Sequence, residues 1–177
     1  MGPTLSANIN ETNRHKLATL CYIWNPKTGK VLLLHRVKKR NDMHKDKYIG
    51  LGGKIEPYED PRTCMIREIF EEAGITCNDL TLRGIIYFKE KENVNLHPAL
   101  NYLVFVYRAT SFTGEISETN EGHLSWLDLE KDFPRLNLWE GDRIFVPKVL
   151  KEDKFFEAIF EYSQAEELVS YSIAENP

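Results

Sequence analysis

The segment from Ile49 to Gly74 limits the choice of fold more than any other part of the chain. Three glycines, Gly50, Gly52 and Gly53, precede a strongly signalled helix. Glycine lets backbone come close to a ligand and adopt positive φ. Asp60 is a suitable N-cap and Pro61 fits the first helical position, so a helix is expected from about Asp60 to Ala73. Gly74 is its stop signal.

Two faces can be assigned on this helix. Ile66, Ile69, Phe70 and Ala73 recur at the helical spacing of a core-facing stripe. Glu68, Glu71 and Glu72 recur at a similar spacing, and at ~100° per residue their mean direction lies nearly opposite the stripe. They are therefore expected on an exposed ridge. Glutamates are ordinary on a solvated helix face. Here, however, they crowd the C-terminal half, where the macrodipole disfavours anions and neighbouring like charges repel. A cation relieves both costs. Carboxylate oxygens beside glycine backbone oxygens suit Mg²⁺ or Mn²⁺, and Arg67 is placed to neutralise or orient the group.

Around this helix, Leu17–Trp24 and Val31–His35 read as strands of a hairpin turned at Asn25-Pro26-Lys27-Thr28-Gly29. Strand character recurs at Leu82–Glu90, Leu100–Ala109 and His123–Leu127, and Ile144–Leu150 looks helical. Phe155–Tyr162 alternates in part, and Leu168–Ile173 is a candidate to pair with it. Residues 1–16 are polar and unpatterned and are expected to form a flexible tail. Residues 17–177 then form one α/β domain. The basic stretch holding Arg36, Lys38, Lys39, Arg40, Lys45 and Lys47 reads either as a solvated loop or as a phosphate-attracting rim.

Composition narrows the partners. With 23 Lys+Arg against 27 Asp+Glu the net charge is −4, which argues against a duplex nucleic-acid binder. A small anionic substrate stays compatible, because a bound metal supplies positive charge. Cys21, Cys64 and Cys77 are scattered and odd in number, which predicts neither a zinc site nor a disulfide framework and fits a reducing cytoplasm. No apolar run approaches the roughly 20 residues of a membrane span, and no signal peptide is visible.

The stretch Gly53–Ile75, GKIEPYEDPRTCMIREIFEEAGI, resembles the Nudix box at every defining position: Gly53, then Glu59, then Arg67-Glu68, Glu71-Glu72 and Gly74-Ile75. The resemblance implies an α/β/α sandwich with a mixed β-sheet and a loop–helix–loop catalytic box. It implies that Glu68, Glu71 and Glu72 hold metal or handle the attacking water, that Glu59 supports the loop, and that a backbone oxygen of Gly52 or Gly53 is a ligand. The stretch from Leu17 to Tyr162, with the phrases LATLCYIWNP, LLLHRVKKRNDMH, KYIGLGGKIE, NEGHLSW and LWEGDRIF followed by KFFEAIFEY, resembles the MutT/MutX branch, the oxidised-purine nucleoside triphosphate diphosphatases. That resemblance implies hydrolysis of 8-oxo-dGTP or a related nucleotide to monophosphate and pyrophosphate. It also suggests Glu121, five residues before Trp126, as a further metal carboxylate, although Glu121 also reads as a loop acid near Glu115 and Glu118.

Base recognition wants an aromatic or apolar sandwich with polar groups at its edge. Trp139, Asp142 and Phe145 are close in sequence and can supply both, with Arg36 and Lys54 as further nucleotide contacts. Asp142 reads equally as a helix cap, and Trp139 as a core residue. Some relatives carry Asn where this chain has Ile49, which leaves the base preference open. Other diphosphates (a nucleotide sugar, a pterin triphosphate, capped RNA) and a non-catalytic nucleotide sensor are the alternatives. A sensor of that kind usually lacks box carboxylates, and none is missing here.

Overall fold

The computed structural model describes residues 15–38, 43–90, 101–117, 121–163 and 165–175. Its elements in chain order are β1 (His15–Asn25), β2 (Lys30–His35), β3 (Tyr48–Ile49), α1 (Pro61–Ala73), β4 (Thr76–Cys77), β5 (Thr81–Glu90), β6 (Asn101–Ala109), β7 (Phe112–Thr113), β8 (His123–Asp128), α2 (Glu140–Lys151), β9 (Phe156–Tyr162) and β10 (Leu168–Glu175), with a 3₁₀ turn at Phe133–Arg135. Most of residues 1–16 lie outside the described set, but His15 and Lys16 already belong to β1. Lys39, Arg40 and Leu100 also lie outside it.

The main sheet runs β10-β9-β5-β6-β1-β2-β3, with β8 also paired to β2. It is mixed: β1 pairs β6 and β5 pairs β9 in parallel, and the remaining ladders are antiparallel. The hairpin of β1 and β2 forms as expected, and β9 pairs β10. β4 and β7 form a separate two-stranded ribbon.

β1 explains the layering. Successive side chains of a strand point to opposite faces. Tyr22 and Trp24 enter the cluster that holds Phe145, Val146, Val149 and Leu150 of α2. Cys21 and Ile23 enter the cluster that holds Met65, Ile69 and Ala73 of α1. Both faces are covered, so the strand reads as a continuous apolar run. This is an α/β/α sandwich.

The glycine-rich segment is built into the sheet. β1 and β2 pair only from Ile23↔Leu32 to Asn25↔Lys30. Beyond that point they part, and the chain from Tyr48 to Lys54 runs between them. Ile49 pairs with Leu34 of β2, whereas Leu51 and Lys54 bridge to Cys21 and Ala18 of β1.

α2 begins at Glu140, four residues before the expected Ile144. Its C-terminus is closed by two arginines from neighbouring strands. Arg108 donates to the carbonyls of Val149, Leu150 and Glu152 at 3.3, 3.1 and 3.3 Å, and Arg83 donates to Glu152 and Lys154. Those carbonyls lack intrahelical donors, and the positive charge complements the helix dipole. Arg108→Ala is expected to lower the unfolding free energy by about 2 kcal/mol, the scale of lost charge-assisted hydrogen bonds; urea denaturation measures it. Among the described residues, no helix is long and apolar enough to cross a membrane. The three thiols are free, with Cys21 and Cys64 buried and Cys77 half-buried.

Candidate active site

α1 has the expected ends. The Asp60 carboxylate accepts from the N–H groups of Arg62 and Thr63 at 2.9 and 3.0 Å, Pro61 opens the helix, and Gly74 closes it at φ 69°. Its rotation differs from expectation. Ile66 and Phe70 are 43% and 62% exposed, and the core face is Cys64, Met65, Ile69 and Ala73. The glutamates therefore do not form an exposed ridge opposite the core. Glu72 is only 5% exposed, Glu68 is half-buried and Glu71 alone is open to solvent. Two equally apolar arcs compete on this helix. Burying the arc with Cys64 and Met65 also turns Glu68 and Glu72 onto the glycine segment.

That contact is specific. The Gly52 N–H donates to Glu72 Oε2 at 2.8 Å. A Cβ on Gly53 would fall 2.3 to 2.6 Å from the Glu68 carboxylate, and one on Gly52 would fall 2.1 Å from the Thr19 carbonyl oxygen. The Gly53 carbonyl accepts from the Thr19 N–H at 2.8 Å.

Two arginines organise the carboxylates. Arg67 pairs with Glu59 at 2.9 Å, Glu68 at 2.7 Å and Glu71 at 3.2 Å. Arg36 pairs with Glu121 at 2.6 Å and lies 3.9 Å from Glu72. The structure thus brings Glu121 and Arg36, from distant parts of the chain, to the box. Hydrogen bonds from Arg67 hold the Glu59 carboxyl at about 2, so Glu59 stays ionised as the anchor of Arg67 and not as a proton carrier. Burial raises Glu68. Burial pushes Glu72 up to about 8, against the pull of the Gly52 N–H and Arg36, and Glu121 and Glu68 push it further.

Five carboxylates gather around two guanidiniums, an excess of negative charge that a divalent cation would balance. The donors are all oxygen, which suits a hard ion. Among the described residues, no three acidic, histidine or cysteine side chains converge tightly enough to hold an ion unaided. In this arrangement Arg67 holds Glu68, Arg36 holds Glu121, and the Gly52 N–H donates to Glu72.

The residues expected from the sequence to contact a base lie across β1 from the box. Asp142 is 6% exposed, and burial pushes its carboxyl up to about 7, with Lys47 and Arg143 pulling it down. It is not the helix cap: Trp139 occupies that position, without a side-chain cap bond. Trp139 is half-buried and stands edge-on to Tyr162, their centroids 5.7 Å apart. Phe145 is fully buried against Tyr22, Phe88 and Phe160 and supports this region from inside the core. The Lys54 side chain is exposed. Sequence reasoning assigned no role to Tyr22, whose buried hydroxyl has no hydrogen-bond partner by geometry among the described residues, nor to Tyr162 and His44, which flank Trp139. Each lies in or next to a phrase that carries the resemblance, but only tertiary packing brings the three to α2 and Trp139.

Residues 14–149 match the family described as the NUDIX domain. The chain is 30% identical over 163 residues to an oxidized purine nucleoside triphosphate hydrolase of Danio rerio, covering 90% of this chain and 95% of that one. It is 32% identical over 145 residues to an uncharacterized Nudix hydrolase of Bacillus subtilis (strain 168), covering 81% and 86%. Among solved structures it is similar to the MutT protein of Bacillus halodurans, with a TM-score of 0.77 and 28% identity over 92% of this chain and 99% of that one. The sandwich, the box helix turned onto a glycine segment and these matches agree: the chain belongs to the NUDIX family and is a Nudix pyrophosphohydrolase.

Proposed function

We propose that the protein hydrolyses an oxidised purine nucleoside triphosphate, 8-oxo-dGTP or a close relative, to the monophosphate and pyrophosphate, and so cleans the nucleotide pool. The observation that carries this reading is Asp142, a buried carboxyl near neutrality beside a half-buried indole and two tyrosines. At neutral pH such a group donates or accepts a hydrogen bond, and it is suited to an edge whose donor pattern differs from the ordinary base. The relative from Danio rerio is named for this substrate class.

Mg²⁺, with Mn²⁺ as a substitute, would be held by Glu68, Glu71, Glu72 and Glu121. The Gly52 carbonyl is the better backbone candidate, because that of Gly53 is committed to the Thr19 N–H. A divalent ion supplies charge neutralisation on the diphosphate oxygens and Lewis-acid activation of water. Glu68 and Glu72 are the two candidates for the one carboxylate that would take the proton of the attacking water. Arg67 orients Glu68 and Glu71 from its anchor on Glu59. Arg36 and Lys54 supply positive charge to the phosphates.

A panel of oxidised and ordinary purine triphosphates, nucleotide sugars and capped RNA, with products separated, tests the proposal. Pyrophosphate release with oxidised purine triphosphates preferred is the expected outcome. A flat or reversed preference would assign the enzyme to another diphosphate.

A further inference from the structure

We propose that His44 and Asn137 are positioning residues that fix the indole of Trp139 and so set how a base fits, an inference that rests on the nucleotide-binding role proposed for Trp139. The chain between β2 and β3 folds back at residues 43–47 and docks on residues 137–139. Asn137 puts three of its groups into this contact. Its Nδ2 donates to the Asp46 carbonyl at 3.0 Å, its Oδ1 accepts from Lys47 Nζ at 3.0 Å, and its backbone carbonyl accepts from the Tyr48 N–H at 3.0 Å. Lys47 Nζ also donates to the Leu138 carbonyl at 3.3 Å. Asn137 is itself exposed. Merely closing a surface loop does not require so complete a set of bonds.

The result is a clamp on one ring. Trp139 Nε1–H donates to His44 Nδ1 at 2.9 Å, with the two rings perpendicular. Lys47 Nζ sits 4.9 Å from the indole centroid, within cation–π range. Tyr162 meets the ring at 82°. An indole turns about two side-chain torsions, and contacts on its N–H, its ring and its neighbour leave neither free. The N–H is consumed, so Trp139 offers a ring surface to a ligand and no donor. His44 accepts at Nδ1, which places the proton of its neutral ring on Nε2.

The same strand of chain reaches the other half of the site. The Arg36 N–H donates to the Lys47 carbonyl at 3.0 Å, and the Asp46 N–H donates to the Arg36 carbonyl at 2.7 Å. The Arg36 guanidinium holds Glu121 and stands beside Glu72. The clamp therefore registers the base platform against the carboxylates, and register is what a purine triphosphate needs for its reacting linkage to arrive in place.

The test is read first on the free protein. In ¹H–¹⁵N spectra the indole resonance of Trp139, assigned with Trp139→Phe, is expected to move upfield and exchange faster in His44→Ala. Asn137→Ala should move it in the same direction. With a purine triphosphate, His44→Ala is expected to raise KM about fivefold, the factor for one lost hydrogen bond. kcat should stay within about twofold of wild type. His44→Gln, whose amide oxygen also accepts, should restore both the resonance and KM. An unmoved indole resonance in His44→Ala, or a fall in kcat with KM unchanged, would overturn the clamp. The indole reading needs no substrate, so it decides the clamp whatever the substrate panel returns.

Discussion

Glu72→Gln is expected to lower turnover by about 10²–10⁴-fold, and in the presence of a chelator to raise the melting temperature at pH 8. Both effects follow from one placement. Glu72 is buried, and its carboxyl is pushed from 4.5 to about 8 chiefly by burial. The folded state therefore holds a proton that the unfolded state has already lost between those two values. Stability present below the unfolded value falls as pH rises toward about 8, where the ionised carboxylate is left in a poorly solvated place. Glutamine keeps an oxygen for the Gly52 N–H and carries no charge. Its stability advantage should be absent below about pH 4.5 and grow up to about pH 8. Mg²⁺ should narrow the difference by stabilising the wild type. Thermal melts across pH with chelator or Mg²⁺, beside steady-state rates, measure all of this. A variant that melts below wild type at pH 8 in chelator would sink the burial argument, and one with wild-type turnover would remove Glu72 from the chemistry.

The second large effect separates two adjacent glycines. In Gly53→Ala the atoms nearest the added methyl are those of the Glu68 carboxylate, the far end of a flexible side chain, at 2.3 to 2.6 Å. The carboxylate must swing away, so turnover is expected to fall by about 10²-fold or more while stability changes by less than about 1 kcal/mol. In Gly52→Ala the methyl meets the backbone of Thr19 and Leu20 at 2.1 and 2.9 Å, and φ is 155°. Nothing there yields easily, and a loss of about 3 kcal/mol or more in stability is expected. Chemical denaturation paired with rates distinguishes the two. Equal destabilisation of both variants would mean that Glu68 does not fill the space over Gly53.

The box was legible because its signals are local. A cap aspartate, a first-turn proline and a stop glycine fix the ends of α1, and Glu68, Glu71 and Glu72 keep their spacing wherever the helix turns. Its rotation was not legible. Ile66 and Phe70 are as apolar as Met65 and Ile69, and only the sheet and the glycine segment decide which arc is buried. Glu72 was consequently expected in solvent and lies in the interior. The base side was less legible again. Trp139 and Asp142 stand close in sequence, but the groups that shape their surroundings come from β1, β9 and the chain after β2. Phe145 lies three residues beyond Asp142 on the same buried face of α2, one turn further into the helix, and packs in the core.

The segment Tyr48–Lys54 lies between two strands and is hydrogen-bonded to each. Most enzyme loops can fray while the scaffold persists. This one cannot leave without opening the middle of the sheet, since the Cys21 and Leu51 amides pair with each other's carbonyls at 2.7 and 2.9 Å. The glycine segment beside Glu68 and Glu72 and the folding of the sheet therefore share one cooperative unit here, whereas the Trp139 indole is held by residues 43–47 at the periphery. On the function proposed above, inheritable change in what the enzyme accepts can accumulate on that peripheral stretch at little cost to the scaffold, whereas change beside the glycine segment cannot.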